Sequence, residues 1–363
     1  MKKKSMQSVE PSVINNFDLI RICAALQVVF RHLFFDRDFH NEFLNFLKNI
    51  ILSFPGVPVF FTVSGFLIYW SFERNSNHLK KYFINRFLRI YPALWACLAI
   101  TIIILFVGDK NGVIFKNLTL FLIWIVGQLT FIQFWTPEFL KFWGEGSPNA
   151  SLWTICVELQ FYFLIPILFY LINRFKKYKL WILFFLFLSS MIFNAWTSTF
   201  GREDLIYKLG FVSIFQYLFY FMFGVFAYNY WNKIRGFLEG KFFIWIIIFL
   251  PLYLFFRNKI DIELNDYHLK SFYKILFIML LNATVISFAF TYKNLSKKIL
   301  NGQDLSYGIY IYHMVIINIF IEYNIPFSMP NIIVIFLMIL SSAALSWFLV
   351  EKNALKLKNK KTG

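Results

Sequence analysis

The stretch RICAALQVVFRHLFF, residues 21–35, places ionisable side chains at both ends of an apolar run. Arg21 opens it, and Arg31 and His32 lie near its end. Together with the residues before it, the run has the length of a membrane-spanning helix. Ionisable groups inside such a helix are costly and usually face a protein interior or a cavity. This stretch therefore predicts a membrane helix whose ionisable side chains face a protein interior or a cavity.

The composition extends that prediction to the whole chain. Of 363 residues, 59% are hydrophobic, 22% are aromatic and only 15% are charged, and the mean hydropathy is +0.61. A soluble domain is about 45–50% apolar, so we expect an integral membrane protein. The 36 Lys and Arg exceed the 19 Asp and Glu by 17. The excess lies mainly in short segments between apolar runs, which indicates positive-inside topology rather than nucleic-acid binding.

Ten apolar runs approach the roughly 20 residues that a helix needs to cross a bilayer. The sequence therefore predicts an all-α, polytopic membrane helical bundle of about ten transmembrane helices with both termini in the cytoplasm. The runs are 14–35, 50–72, 90–107, 151–173, 179–197, 210–231, 242–256, 271–291, 304–322 and 330–350.

An eleventh apolar stretch, residues 118–134, is ambiguous by length. If it crossed the membrane, the basic segment 173–179 would face outward and the segment 135–149 would face the cytoplasm. Both placements violate the charge rule, so we expect a re-entrant or interfacial segment on the outer side. The predicted organisation is a cytoplasmic segment 1–13, a membrane domain 14–350 and a basic cytoplasmic tail 351–363.

Arg21 and His32 are eleven residues apart, which is three helical turns plus about 20°. Both therefore face the same way, about 16 Å apart along the axis. Asp18 lies three residues before Arg21 and is placed to pair with it. On a purely structural interpretation, Arg21 only pairs with Asp18, and His32 only lies at the membrane–water interface.

Arg86 and Arg89 lie three residues apart in NRFLRIYP, residues 85–92. On one helix face at a cytoplasmic mouth, two planar guanidiniums are suited to holding phosphates bidentately. The alternative is an ordinary positively charged membrane anchor.

Glu158 lies one to two turns inside the span that starts in SLWTICVELQFYFLIP, residues 151–166. We expect it at about the depth of His32, where a carboxylate can orient an imidazole. A structural salt bridge is the alternative. Ser64 and His313 are more readily explained by helix packing than by catalysis. The three cysteines lack metal-type spacing, so no metal site is expected.

Together these stretches resemble the membrane-bound acyltransferase family 3, over about residues 15–355. Asn353 replaces a proline of the family's terminal motif, and Thr154 and Cys156 replace commoner residues, so the departures are mild. The matching stretches are FDLIRICAALQVVFRH (17–32), PGVPVFFTVSGFLI (55–68), RFLRIYP (86–92), SLWTICVELQFY (151–162) and SYGIYIYH (306–313).

The resemblance implies transfer of an acyl group, usually acetyl, from cytoplasmic acyl-CoA to a saccharide or lipid-linked acceptor across the plasma (inner) membrane. It also implies that His32 and the three arginines matter. Within that mechanism, CoA phosphates rest on Arg86 and Arg89, and Arg21 guides the pantetheine arm or polarises the thioester. His32 acts as general base or as a transient acyl carrier, oriented by Glu158. The expected partners are acetyl-CoA as donor, a saccharide acceptor and membrane lipid.

Two other classes of function fit the same residues. A transporter or flippase of a lipid-linked sugar would use His32 and Glu158 as a proton relay. A non-catalytic membrane sensor or assembly partner would release no CoA.

Overall fold

The structure is a computed structural model that describes residues 15–35, 37–109, 111–257, 259, 263–264, 271–292 and 294–360. Within these residues the chain is helical and contains no strand, so the all-α prediction is confirmed for the part described. The expected N-terminal segment 1–13 and the last three residues of the tail lie outside the described residues.

Seventeen α-helices follow one another in the described chain. Their bounds are α1 Phe17–Phe34, α2 Glu42–Leu52, α3 Gly56–Glu73, α4 Leu79–Gly108, α5 Val113–Lys116, α6 Leu118–Leu129, α7 Trp153–Arg174, α8 Lys179–Thr197, α9 Leu205–Phe211, α10 Ile214–Asn229, α11 Trp231–Leu238, α12 Phe242–Arg257, α13 Phe272–Ala289, α14 Leu295–Leu300, α15 Ser306–Glu322, α16 Met329–Leu345 and α17 Lys352–Lys360.

Seven helical segments of the described chain are long and apolar enough to cross a membrane. An eighth is gained if α11 and α12, which meet at a bend of 74°, form one broken span. The two remaining candidates are marginal for different reasons: α1 carries Asp18, Arg21 and Arg31, and α15 is 17 residues long. A count of ten is reached only if both also cross, so that number and the side of the termini stay predictions.

Two helix boundaries differ from the sequence prediction. The expected span 50–72 is two helices, because Pro55 disfavours helical backbone at the residue before it and α3 starts only at Gly56. The basic segment before residue 90 is helical from Leu79, so α4 extends over 30 residues. Arg86 and Arg89 therefore lie within a regular helix.

The stretch 118–134 forms the helix α6 of only 12 residues, followed by a turn. Its rise is about 18 Å, against about 30 Å of hydrocarbon core. That length agrees with an element that does not cross. Whether it is re-entrant or interfacial stays a prediction.

The core is formed where α3 and α10 cross at close range. A Cβ atom at Gly65 would lie 2.0 Å from the carbonyl oxygen of Phe221, and one at Gly224 would lie 2.0 Å from that of Thr62. Small residues let the backbones approach, as in other membrane helix pairs. The rings of Phe161 and Phe221 stack beside this crossing at 3.7 Å, so α7 joins the same core.

Helices α1 and α15 lie side by side and run in the same direction, with α3, α4 and α7 around them. Arg21 of α1 meets Asp304 just before α15, and His32 of α1 meets His313 within α15. We call these two places the arginine end and the histidine end of the bundle. After α16, a π-helical turn, Ser346–Glu351, leads into α17, which packs along α4 near the arginine end.

Candidate active site

At the arginine end, Asp304 binds two of the predicted arginines at once. Its Oδ2 atom lies 2.6 Å from Nη1 of Arg21 and also accepts a hydrogen bond from Nη2 of Arg89. Its Oδ1 atom accepts from the backbone N–H of Ser306 at 3.1 Å. The Ser306 hydroxyl donates to the same Oδ1 atom, so two guanidiniums and two donors from Ser306 favour the charged carboxylate. Asp304 is therefore an ionised counter-charge.

The expected partner of Arg21 was Asp18, but the salt bridge that Arg21 forms is with Asp304. The carboxylate that Arg21 contacts is Asp304, which lies 283 residues further along the chain. Asp18 is exposed. A long-range ion pair replaces the local one because the start of α15 packs against α1.

Arg86 lies one turn before Arg89 but in a different environment. Its guanidinium carbon is 5.6 Å from the ring centre of Tyr82 and 5.5 Å from that of Tyr162, and its Nε atom is buried without a hydrogen-bond partner. The predicted arginine pair is thus divided. Arg89 is held by Asp304, whereas Arg86 keeps an unused donor.

A cavity of about 50 Å³ opens between α1, α3, α7 and α15. Its polar lining includes Arg21, Ser64 and Glu158. The full lining is Arg21, Val57, Phe60, Phe61, Ser64, Thr154, Ile155, Glu158, Ser306, Tyr307 and Tyr310. An apolar wall with few polar groups is typical of a small-molecule site.

Glu158 was expected to orient His32, and the structure places it elsewhere. Its Oε1 atom accepts a hydrogen bond from the Tyr162 hydroxyl one turn further along α7. The Tyr82 hydroxyl in turn donates to the backbone oxygen of Tyr162 at 3.1 Å. Glu158 therefore belongs to the cavity and to the Arg86 side. The carboxylate beside His32 is that of Glu145.

At the histidine end, the rings of His32 and His313 lie with their centroids 5.3 Å apart. His313 is fully buried, and its Nδ1 atom lies 2.6 Å from the backbone oxygen of Tyr310. Because a carbonyl oxygen only accepts, Nδ1 carries the proton, and Nε2 is left as a buried nitrogen without a partner. His32 is partly exposed, and its Nδ1 atom lies 3.7 Å from Oε2 of Glu145.

Comparison with known proteins identifies the family to which this chain belongs. The acyltransferase domain family matches residues 14–351. Nodulation protein 10 of Rhizobium leguminosarum bv. viciae is 31% identical over 358 residues, which cover 95% of this chain and 94% of that protein. The chain belongs to the acyltransferase 3 family. The family prediction is confirmed, and the protein is an acyltransferase and a multi-pass membrane protein.

Two shorter matches point the same way. The peptidoglycan O-acetyltransferase OatA of Listeria monocytogenes is 31% identical over 122 residues, covering 31% of this chain and 19% of that protein. The acyltransferase MdmB of Streptomyces mycarofaciens is 28% identical over 129 residues, covering 34% of this chain and 30% of that protein. No solved structure matches the chain significantly.

Three residues of the candidate site escaped prediction from sequence. Asp304 had a usable signal, because an acid directly before a helix and two residues before Ser306 is typical of a helix start. His313 was interpreted as a packing residue, and its unused nitrogen is visible only in three dimensions. Glu145 had no local signal. The part of this acyltransferase that the structure describes contains no group of three His, Cys, Asp or Glu residues that could hold a metal ion.

Proposed function

We propose that the protein transfers an acyl group, preferentially acetyl, from cytoplasmic acyl-CoA to a hydroxyl group of a saccharide. The acceptor is extracytoplasmic or lipid-linked, and the plasma (inner) membrane is the expected location. One observation carries the proposal. Helices α1 and α15 run in parallel from a cluster of arginines to a pair of histidines, with a cavity beginning between them at Arg21.

The arginine end suits the polyanionic part of the donor. CoA phosphates cannot enter lipid cheaply, and planar guanidiniums bind them bidentately. Arg86 has a buried Nε atom without a partner, so it is the first candidate for a phosphate contact. Arg89 is already bound to Asp304. It either holds that carboxylate and Arg21 in place or exchanges the Asp304 carboxylate for a CoA phosphate.

The cavity suits a short acyl chain. A water molecule needs roughly 10–15 Å³ of such volume, so about 50 Å³ holds roughly four small groups. An acetyl group has three non-hydrogen atoms and fits. Arg21 also lines the cavity and is proposed to guide the pantetheine arm, which spans the distance from Arg21 to a thioester beside His32, and Glu158 lines the same space.

His32 is proposed as the general base. Its free nitrogen takes the proton from the acceptor hydroxyl while the acceptor oxygen bonds to the thioester carbonyl carbon. The carbon–sulfur bond then breaks, and the CoA thiolate leaves and takes a proton from the imidazolium. An acyl-histidine route uses the same residue as a nucleophile instead. Both routes require His32 at the acceptor side, about 16 Å from Arg21 along α1.

A transporter remains the second class to test, since the pair of His32 and the buried His313 offers a proton relay. The discriminating measurement is the release of CoA thiol from acetyl-CoA by purified protein, supplied with surface glycan isolated from a deletion strain. Transfer of isotope-labelled acetyl to that glycan, absent with His32→Ala, is the expected result. Glycan uptake or flipping without CoA release would overturn the proposal.

The acceptor itself is found by mass spectrometry of surface glycans from wild-type and deletion strains. We expect a loss of acetyl groups from one glycan in the deletion strain. In sealed vesicles, acetyl-CoA is expected to support transfer only from the side of Arg86.

A further inference from the structure

We propose that Glu145 is the positioning residue for His32. It holds the imidazole with its Nδ1–H directed at the carboxylate, which leaves Nε2 free for the acceptor hydroxyl. This inference rests on the proposed function, in which His32 is the base. The carboxylate lies on the short segment 144–149, which precedes α7 and belongs to neither α1 nor α15.

The contact itself is long but of the correct kind. Oε2 of Glu145 lies 3.7 Å from Nδ1 of His32. Carboxylate oxygens only accept hydrogen bonds, so an imidazole facing one carries its proton on that side. In enzymes without bound substrate such contacts are often long and tighten on binding.

The segment that carries Glu145 is fixed to α15 by one buried amide. Asn318 is fully buried; its Oδ1 atom accepts the Glu145 backbone N–H at 3.2 Å, and its Nδ2 atom donates to Ser147 O at 2.8 Å and to Pro148 O at 3.1 Å. The backbone N–H of Gly144 donates to Glu322 at 3.3 Å. An ordinary exposed glutamate has no such support.

Gly144 makes this approach feasible. Its φ of +57° lies in the left-handed region that favours glycine, and a Cβ atom there would lie 2.3 Å from the Asn318 side chain. The backbone of the segment is therefore pressed against the amide that orients it. Since Asn318 is five residues beyond His313 on α15, the same helix positions both neighbours of His32.

The other ionisable groups around His32 do not take this role. His313 offers a lone pair at Nε2, but this nitrogen is neutral and does not stabilise a positively charged imidazolium as a carboxylate does. Arg31 is bound to Glu263 at 3.3 Å, and Glu322 is directed at Gly144. Glu158 is bound to Tyr162. Among the described residues, Glu145 is the carboxylate in contact with His32.

The chemistry gives the carboxylate two effects that separate experimentally. It sets the tautomer, which an amide oxygen also does, and it stabilises the imidazolium after proton transfer, which only a charge does. Glu145→Gln therefore removes the charge alone, and Glu145→Ala removes both. Glu138→Gln is the matched control, because Glu138 is exposed, lies in the same connection between α6 and α7 as Glu145, and pairs with Lys141.

The test measures kcat and KM for acetyl-CoA, with purified full-length protein and glycan from the deletion strain. We expect Glu145→Gln to lower kcat about tenfold or more with KM unchanged, since the base itself, worth about 10²–10⁴, remains. We expect sodium formate, but not sodium chloride, to restore part of the activity of Glu145→Ala. Glu138→Gln is expected to behave as wild type.

The result that overturns the proposal is a normal kcat in Glu145→Gln, or no formate rescue in a Glu145→Ala protein of normal abundance. If Glu145→Ala does not fold, the kcat of Glu145→Gln decides. Failure of the proposed function looks different: the wild-type protein would then release no CoA, or His32→Ala would transfer acetyl as fast as wild type. Formate rescue also separates positioning from mere folding, because a small anion cannot rebuild a misfolded segment.

Discussion

The two ends of α1 carry ionisable side chains for different purposes. At the arginine end, Arg21 and Arg89 converge on a buried Asp304, whose second oxygen is bound by Ser306. At the histidine end, His313 has a buried nitrogen without a partner, and His32 lies 3.7 Å from Glu145. Both oxygens of the Asp304 carboxylate are hydrogen-bonded, whereas the buried Nε2 atom of His313 has no partner.

The difference separates stability from chemistry. Buried charges that are fully paired hold elements together, and removing one partner leaves an uncompensated charge. Incompletely satisfied groups cost free energy and persist where function uses them. We therefore expect changes at the arginine end to affect folding and donor binding, and changes at the histidine end to affect turnover.

The largest effect is expected for His32→Ala. Loss of a general base typically lowers the rate about 10²–10⁴-fold. Abundance in the membrane should stay normal, because the side chain is partly exposed. Acyl transfer to the glycan is the measurement, and His40→Ala, an exposed histidine nearby in the chain, is the control. A mutant with wild-type transfer would remove the histidine end from the mechanism.

Asp304→Asn is expected to destabilise the protein rather than only slow it. Two guanidiniums would remain in a largely buried site without a counter-charge, which typically costs about 3–5 kcal/mol. Thermal unfolding in detergent checks this, and Glu203→Gln, which removes only an exposed partner of Lys208, should leave the melting temperature unchanged. An unchanged melting temperature in Asp304→Asn would contradict a structural arginine end.

Single substitutions of Arg86 and Arg89 should have different effects on acetyl-CoA affinity and on thermal stability. Arg86→Lys keeps the charge but loses the planar fork, and we expect acetyl-CoA affinity to fall about tenfold or more with normal thermal stability. Arg89→Lys should lower the melting temperature as well, because Arg89 holds Asp304. Affinity is measured on the purified variants. If Arg86→Lys binds acetyl-CoA normally, Arg86 serves only as a positively charged anchor.

The smallest effect is expected for Tyr162→Phe. This change removes the hydroxyl that donates to Glu158, and we expect turnover to fall less than about tenfold, which corresponds to less than about 1.4 kcal/mol. Tyr82→Phe loses a bond to a neutral backbone oxygen and is the matched comparison. A loss as large as that of His32→Ala would mean that Glu158, and not Glu145, serves the base.

Local pattern was sufficient for part of this site. The spacing of Arg21 and His32 correctly placed both on the inward side of one helix, and the pair Arg86 and Arg89 correctly fell on one helix. The partners were not predictable in the same way. Asp18 was the nearest acid in sequence to Arg21, and Glu158 was the acid expected at the depth of His32. In the structure, Arg21 instead contacts Asp304, and His32 instead contacts Glu145.

The sequence alone determined that this is an apolar, all-helical membrane protein of the acyltransferase 3 family, because composition, run length and short motifs are local properties. The tertiary structure alone decided which carboxylate meets which base or cation. Such pairs join residues over a hundred positions apart, through the packing of α15 against α1 and the fixing of segment 144–149 by Asn318. No periodicity encodes these contacts, because they depend on how helices meet and not on how each one forms.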